Sequence, residues 1–177
     1  MTSPANPIRS DAVRNRDLLV AAGREVLAEQ GLDAPMSAVA KRAGVGQGTL
    51  YRHFPDRLSL ASAVLEENVR DIEQVAARPE ATLADVLGVV TWQMVRSTAF
   101  VGIVRLGGEA SSQHLADRVH TAIDGLPEET HGTDDVMLAI AMVSGAVHGP
   151  TPEAREAAVR RAWDLLGIEI GPVTPGV

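Results

Sequence analysis

The stretch AGVGQGTLYRHFPDR, Ala43 to Arg57, holds glycines at 44, 46 and 48 and a proline at 55. No single helix can run through it. Glycine supplies the left-handed residue that ends helices, and the residue before a proline is pushed out of the helical region. Between these stops one short helix fits, Gln47 to Phe54, with Leu50 and Phe54 four apart on one face. A second short helix, Ser37 to Ala43, precedes it, with Val39, Ala40 and Ala43 as inward candidates.

Two short helices joined at Ala43-Gly44-Val45-Gly46 have the spacing of a helix-turn-helix. Gly44 reverses the chain, and Val45 tucks beneath both helices. Gly46 stands where a cap belongs. Gly48 leaves a smooth surface over which backbone can approach a phosphate. With Leu50 and Phe54 inward, Gln47, Thr49, Tyr51, Arg52 and His53 fall on the outward and flanking faces. In a major groove Gln pairs with adenine, Thr meets a thymine methyl or a phosphate, and Arg pairs with guanine. Tyr and His suit phosphates. The same spacing also describes a solvated helix face with Tyr51 half-packed, and spacing alone leaves both readings open.

The rest of the chain reads helical throughout, with no period-2 strand pattern and no repeat. Residues 1–9 carry two prolines and read as a disordered arm. Ser10 can cap a helix to Gln30, with Leu18, Leu19, Ala22, Val26 and Leu27 as its apolar stripe and Gly31 as its stop. Asp56 caps a long helix reaching Arg78 along Leu58, Ala61, Val64, Leu65, Val69 and Ile72. Helices are expected over 82–97, 100–106 and 109–123. Thr133 is expected to cap a helix through His148, and Thr151-Pro152-Glu153 to start a last one ending near Gly167. GPVTPGV reads as a tail. The expected organisation is an arm (1–9), a helix-turn-helix domain (10–56), a connecting helix (57–78) and a second helical domain (79–177).

With 3% aromatic residues the core must be Ala, Val, Leu, Ile and Met, the usual filling of packed helices. The absence of cysteine excludes disulfides and thiolate metal sites. The N-terminal segment is polar and lacks the apolar region of a signal peptide. The longest apolar stretch, Val136 to Val147, is broken by Ser144 and Gly145 and falls short of the ~20 residues a spanning helix needs. A cytoplasmic protein without a membrane partner is expected. The net charge of -7 is uneven: residues 1–57 hold eight Arg/Lys and six Asp/Glu, net +2, which leaves -9 for the remainder. Such asymmetry suits a nucleic-acid-facing end and an acidic remainder.

The segment GLDAPMSAVAKRAGVGQGTLYRHFPDRLSLASAVL, Gly31 to Leu65, resembles the DNA-binding domain of the tetracycline-repressor (TetR) family of bacterial transcriptional regulators. The likeness is densest over AGVGQGTLYRHFPDR and covers about residues 10–75. It implies an all-α homodimer: an N-terminal three-helix domain on double-stranded operator DNA, and a C-terminal domain that dimerises and holds a small-molecule effector. Carried over by position, Gln47, Gly48, Thr49, Tyr51, Arg52 and His53 would lie on the recognition helix, and Arg57 would reach a phosphate. Where the family often has a capping Thr, this chain has Pro35, so Met36 and Ser37 would supply that phosphate contact from backbone and hydroxyl.

The second half resembles no family closely enough to name a ligand. Trp92, Met94, Arg96, Phe100 and Arg105 are the uncommon residues of segments that TetR-type proteins use around a cavity, although Trp and Met at such spacing equally fill a core. Trp92, Arg96, Phe100 and Arg105 are the candidates for effector binding. HLADRVH offers His114, Asp117 and His120, but the two histidines lie about 120° apart on a helix, a poor metal site. No nucleophilic triad, paired-carboxylate pattern or phosphate loop stands out, so neither catalysis nor a cofactor is expected. VMLAIAMVSGAVHG is apolar nearly all round and rich in small residues. Paired with the last helix (Ala157, Ala158, Ala162, Leu165, Leu166), it reads as half of a four-helix interface between two copies. The rival reading is a helical ligand-binding or scaffold protein whose helix-turn-helix no longer binds DNA.

Overall fold

The computed structural model describes residues 7–97, 101, 110–127 and 131–175. Among these the chain is all-helical, without strands. The helices are α1 (Pro7–Gln30), α2 (Met36–Ala43), α3 (Gln47–His53), α4 (Arg57–Ala76), α5 (Leu83–Arg96), α6 (Ala110–Asp124), α7 (Thr133–Ser144) and α8 (Pro152–Leu166). None of them is long and apolar enough to cross a membrane. Helix α1 begins at Pro7, three residues before the expected Ser10 cap, because proline's fixed φ is tolerated in a first helical turn. Residues 1–6 of the expected arm and most of the expected 100–106 helix lie outside the described residues.

The chain divides into two compact units, Met1–Val64 and Leu65–Val177, with the boundary inside α4. In the first unit Leu19, Val20, Val26 and Leu27 of α1 are buried with Val39 and Ala40 of α2, Leu50 of α3 and Leu60 of α4. Gly23 is also buried, and a Cβ there would lie 3.0 Å from Leu60 Cδ1. Leu18 and Leu58, both expected on apolar stripes, are instead exposed (41% and 58%). Leu18 sits at the edge of its stripe, whereas Leu58 is in line with buried Leu65 and Val69 but stands in the first turn of α4.

The second unit is built around α5. Its Val86, Leu87, Val89, Val90, Met94 and Val95 are all buried, so this helix is covered on most of its circumference. Helix α8 lies against it: Trp163 is fully buried, and its indole Nε1 donates to Thr91 Oγ1 at 2.9 Å. Thr82 and Asp85 form a reciprocal capping box at the α5 start, and the Thr82 hydroxyl and backbone N–H hold the Asp85 carboxyl below its ordinary pKa. The tail after α8 is an extended strap. Ile168 is buried, and Gly171 N–H donates to Ala84 O at 2.7 Å.

Helix α7 departs from expectation at both ends. Gly132 is its N-cap, and Thr133 is the first helical residue, whose hydroxyl donates to Asp124 Oδ1 at 3.2 Å. The helix stops at Ser144, not His148. Gly145, Ala146 and Val147 each bond three residues back, tightening the end, and the Ser144 hydroxyl donates to Ala141 O at 2.6 Å. At α8 the Thr151 hydroxyl accepts from Ala154 N–H, Pro152 takes the first position and Gly167 closes in the left-handed region.

Candidate nucleic-acid interface

The turn between α2 and α3 follows from its glycines. Gly44 adopts φ 68, ψ 25, and its N–H bonds back into α2 while Val45 N–H donates to Ala40 O at 3.1 Å. Val45 is half-buried. Gly46 caps α3 in an extended conformation, and its carbonyl accepts from both Thr49 and Leu50 N–H. Pro35 precedes α2 without a side-chain cap bond.

One residue of α3, Leu50, is completely buried, and it fixes the helix on the unit. Phe54, expected as the last helical residue, is the C-cap in an extended conformation, because Pro55 disfavours a helical residue before it. It remains buried, and Arg16 of α1 places its guanidinium 5.6 Å from the ring centroid. His53 is half-buried beside it, with ring centroids 6.4 Å apart.

Gln47, Gly48, Tyr51 and Arg52 are exposed and Thr49 is half-buried, with Gly48 and Arg52 opposite Leu50 and Gln47, Thr49 and Tyr51 on the flanks. Ser37, in the first turn of α2, is exposed as well. A Cβ built on Gly44, Gly46 or Gly48 meets no atom within 4 Å, which leaves the surface over this turn clear. Arg52 folds along its own helix: Nε donates to Gly48 O at 3.2 Å and Nη2 to Thr49 Oγ1 at 3.1 Å.

Two other arginines of this unit are held by acids. Arg57 Nη1 lies 3.3 Å from Asp33 Oδ1. Arg42 bridges Glu25 (2.8 Å) and Glu29 (2.9 Å) on α1. Its hydrogen bond holds the Glu29 carboxyl below its ordinary pKa, and the hydrogen bonds it donates to Glu29 and Glu25 raise the pKa of Arg42. Sequence reasoning assigned no role to Arg16, Asp33 or Arg42. One signal for Arg42 was present: Glu25 and Glu29 stand four apart, and like charges at that spacing repel unless a cation joins them.

The effector candidates do not converge on one described site. Trp92 is half-buried on α5. Arg96 is exposed at the end of α5, where its charge adds to the hydrogen bonds from the Glu153 backbone and the Thr151 hydroxyl that lower Glu153. Phe100 and Arg105 lie outside the described residues. An open cleft of 330 Å³ does exist elsewhere in the second unit, lined by Glu73, Ala76, Ala122 and Arg118 among others. There Arg118 grips Glu73 bidentately, Nε to Oε1 at 2.8 Å and Nη2 to Oε2 at 2.6 Å, and draws the Glu73 pKa down. The residues of HLADRVH take separate partners: Asp117 accepts from Gln113, and His120 Nε2 lies 3.1 Å from Asp134 Oδ1.

The family described as bacterial regulatory proteins, tetR family, matches residues 19–64, the span from α1 through the first part of α4. Two HTH-type transcriptional regulators of Staphylococcus aureus are 35% identical over 63 residues and 42% identical over 64 residues. Those segments cover 35% and 34% of this chain, and the chain spans only 34% and 33% of the length of these curated relatives. A TetR transcriptional regulator from Streptomyces coelicolor superposes with a TM-score of 0.57 at 24% identity, over 88% of this chain and 98% of its own. Another, from a Rhodococcus species, gives 0.58 at 24% identity, over 92% and 99%. At that identity these two show a common fold, and the helix-turn-helix carries the sequence match. With its α2–turn–α3 geometry and its match over residues 19–64, the helix-turn-helix unit is similar to the tetR family of bacterial regulatory proteins, and the chain as a whole shares the fold of the two solved regulators.

Proposed function

We propose that this chain is a ligand-responsive transcriptional repressor that binds a near-palindromic operator as a homodimer. The observation that carries the reading is the division of α3: Leu50 buried, Gln47, Tyr51 and Arg52 exposed, and no side chain over Gly46 and Gly48. An exposed polar helix that projects past its turn is the element a helix-turn-helix inserts into a major groove. Gln47, Thr49 and Arg52 are the base-reading candidates. Ser37, Gly48, Tyr51, His53 and Arg57 are the phosphate candidates. Duplex selection from a random pool by the full chain is expected to enrich inverted repeats with half-sites about one helical turn apart. Retention of random and selected duplexes alike, or of neither, favours the scaffold reading instead.

The dimer reading is supported by the second unit's own surface. Leu138 and Met142 on α7 and Leu165 on α8 are 60%, 56% and 73% exposed, large apolar side chains left without cover in one copy. Two copies of the α7–α8 pair packed about a two-fold axis would cover them. Ala141 is exposed in the chain, so Ala141→Arg leaves each copy folded while placing an unpaired charge in the interface. The variant is expected to sediment as a folded monomer and to lose the palindrome. A small-molecule effector is placed in the second unit, where Gln93 Oε1 is buried without a hydrogen-bond partner among the described residues. A Trp163→Phe variant leaves Trp92 as the single fluorophore beside this region, and effector binding is expected to quench it.

A further inference from the structure

Resting on the DNA-binding reading above, we propose that Thr49 and Arg52 act as one guanine-reading unit, with Thr49 as the positioning residue. The guanidinium of Arg52 has two forks of donors. The side fork, Nε–H and the neighbouring Nη2–H, is spent on the protein: it meets Gly48 O at 3.2 Å and Thr49 Oγ1 at 3.1 Å. The end fork, Nη1–H with the second Nη2–H, stays free. Two parallel donors on a planar group match guanine O6 and N7, the commonest specific contact in a major groove. Arg52 is exposed, and nothing stands over Gly48, so a base edge can reach that fork.

Two consequences follow. An arginine already tied along its helix loses less rotamer freedom on binding than a free one, and its fork is aimed before the encounter. Thr49 also becomes polarised. Its oxygen accepts from Arg52, so the hydroxyl hydrogen points elsewhere and serves a phosphate or base acceptor as a donor. Sequence spacing alone offered Thr49 as an independent contact. The bond to Arg52, three residues on, makes it part of the same reader.

The test uses the full chain and the duplex that wild-type protein enriches from a random pool. Each guanine of a half-site is replaced in turn by adenine. At one guanine wild type is expected to discriminate by about tenfold or more, the range of a good bidentate pair. Arg52→Ala abolishes that ratio. Thr49→Val, which keeps the shape and removes the acceptor, lowers it several-fold at the same position, and Thr49→Ser restores it. Thr49→Val changes no charge, so its salt slope stays at the wild-type value. Full discrimination by Thr49→Val, or equal loss on every duplex with Arg52→Ala, overturns the assignment. Enrichment of no site by wild type overturns the DNA-binding reading itself, a result distinct from both.

Discussion

A Cβ added to Gly46 or Gly48 meets nothing within 4 Å, whereas one added to Gly88 falls 2.5 Å from Pro172 O and 3.2 Å from Gly171 C. The same residue type is required for opposite reasons in the two units. In the first, glycine leaves a surface open. In the second, it lets the C-terminal strap approach α5 more closely than any side chain would permit. The uncovered faces differ in the same sense. The first unit leaves polar Gln47, Tyr51 and Arg52 in solvent, and the second leaves Leu138, Met142 and Leu165. A polar open face suits a hydrated, charged partner, and an apolar one suits another protein surface.

The contrast breaks most visibly through Leu50. It is the sole fully buried residue of α3, and Leu50→Ala is expected to destabilise the first unit by about 2–5 kcal/mol. Hydrogen exchange should then show lost protection in α1–α3 with α5 and α8 unchanged; equal losses would show that the two units do not unfold separately.

Next in size is Gly88→Ala, expected to cost about 1–3 kcal/mol despite alanine's better helix propensity. The clash is with backbone of the strap, which has no rotamer to change. Denaturant unfolding measures the cost. Unchanged stability would mean that the strap contributes little.

A smaller effect belongs to Glu73→Gln. The pair with Arg118 is part-exposed, 36% and 26%, so solvent screening limits it to ~1 kcal/mol or less. Its sign with pH is fixed. The Arg118 hydrogen bond holds Glu73 below the ordinary glutamate value in the folded state, so the stabilisation is complete above that value and is lost as pH falls through the lowered one. Stability of wild type minus that of Glu73→Gln should therefore shrink on acidification; a constant difference between neutral and strongly acidic pH contradicts it.

Last comes Gly48→Ala, where the sign reverses. Open space and a helical position predict a gain of about 0.5–1 kcal/mol in folding stability. The added methyl stands on the face proposed to meet DNA, so the same variant is expected to bind its duplex more weakly. Thermal unfolding and duplex titration together sharpen the contrast with Gly88: one glycine substitution strengthens the fold and weakens binding, the other weakens the fold alone.

Much of this molecule is legible from local chemistry. The helix-turn-helix follows from Gly44, Gly46 and Pro55, whose backbone preferences act within a few residues. Asp56 is read the same way: its carboxylate accepts from Ser59 N–H at 2.7 Å, where α4 begins. So is the α8 start at Thr151-Pro152. The second unit is less legible, because Trp92 and Arg96 carry signals that a core or a surface explains equally well.

The sequence by itself determined the helical class, the likeness of the N-terminal unit to the tetR family and the exposed residues on α3, because periodicity, caps and glycine stops are properties of neighbours in the chain. Tertiary structure alone decided which distant partner a polar group takes. Thr133 looked like a cap until Asp124 took its hydroxyl. Arg57 showed no partner in the sequence, and Asp33 stands 3.3 Å away, 24 residues back in the chain. Gly88 carried no signal at all, since its constraint is Pro172, a residue that only folding brings to α5. Interactions between distant residues depend on how helices pack, and packing is set by the shape of whole faces, which no local pattern encodes.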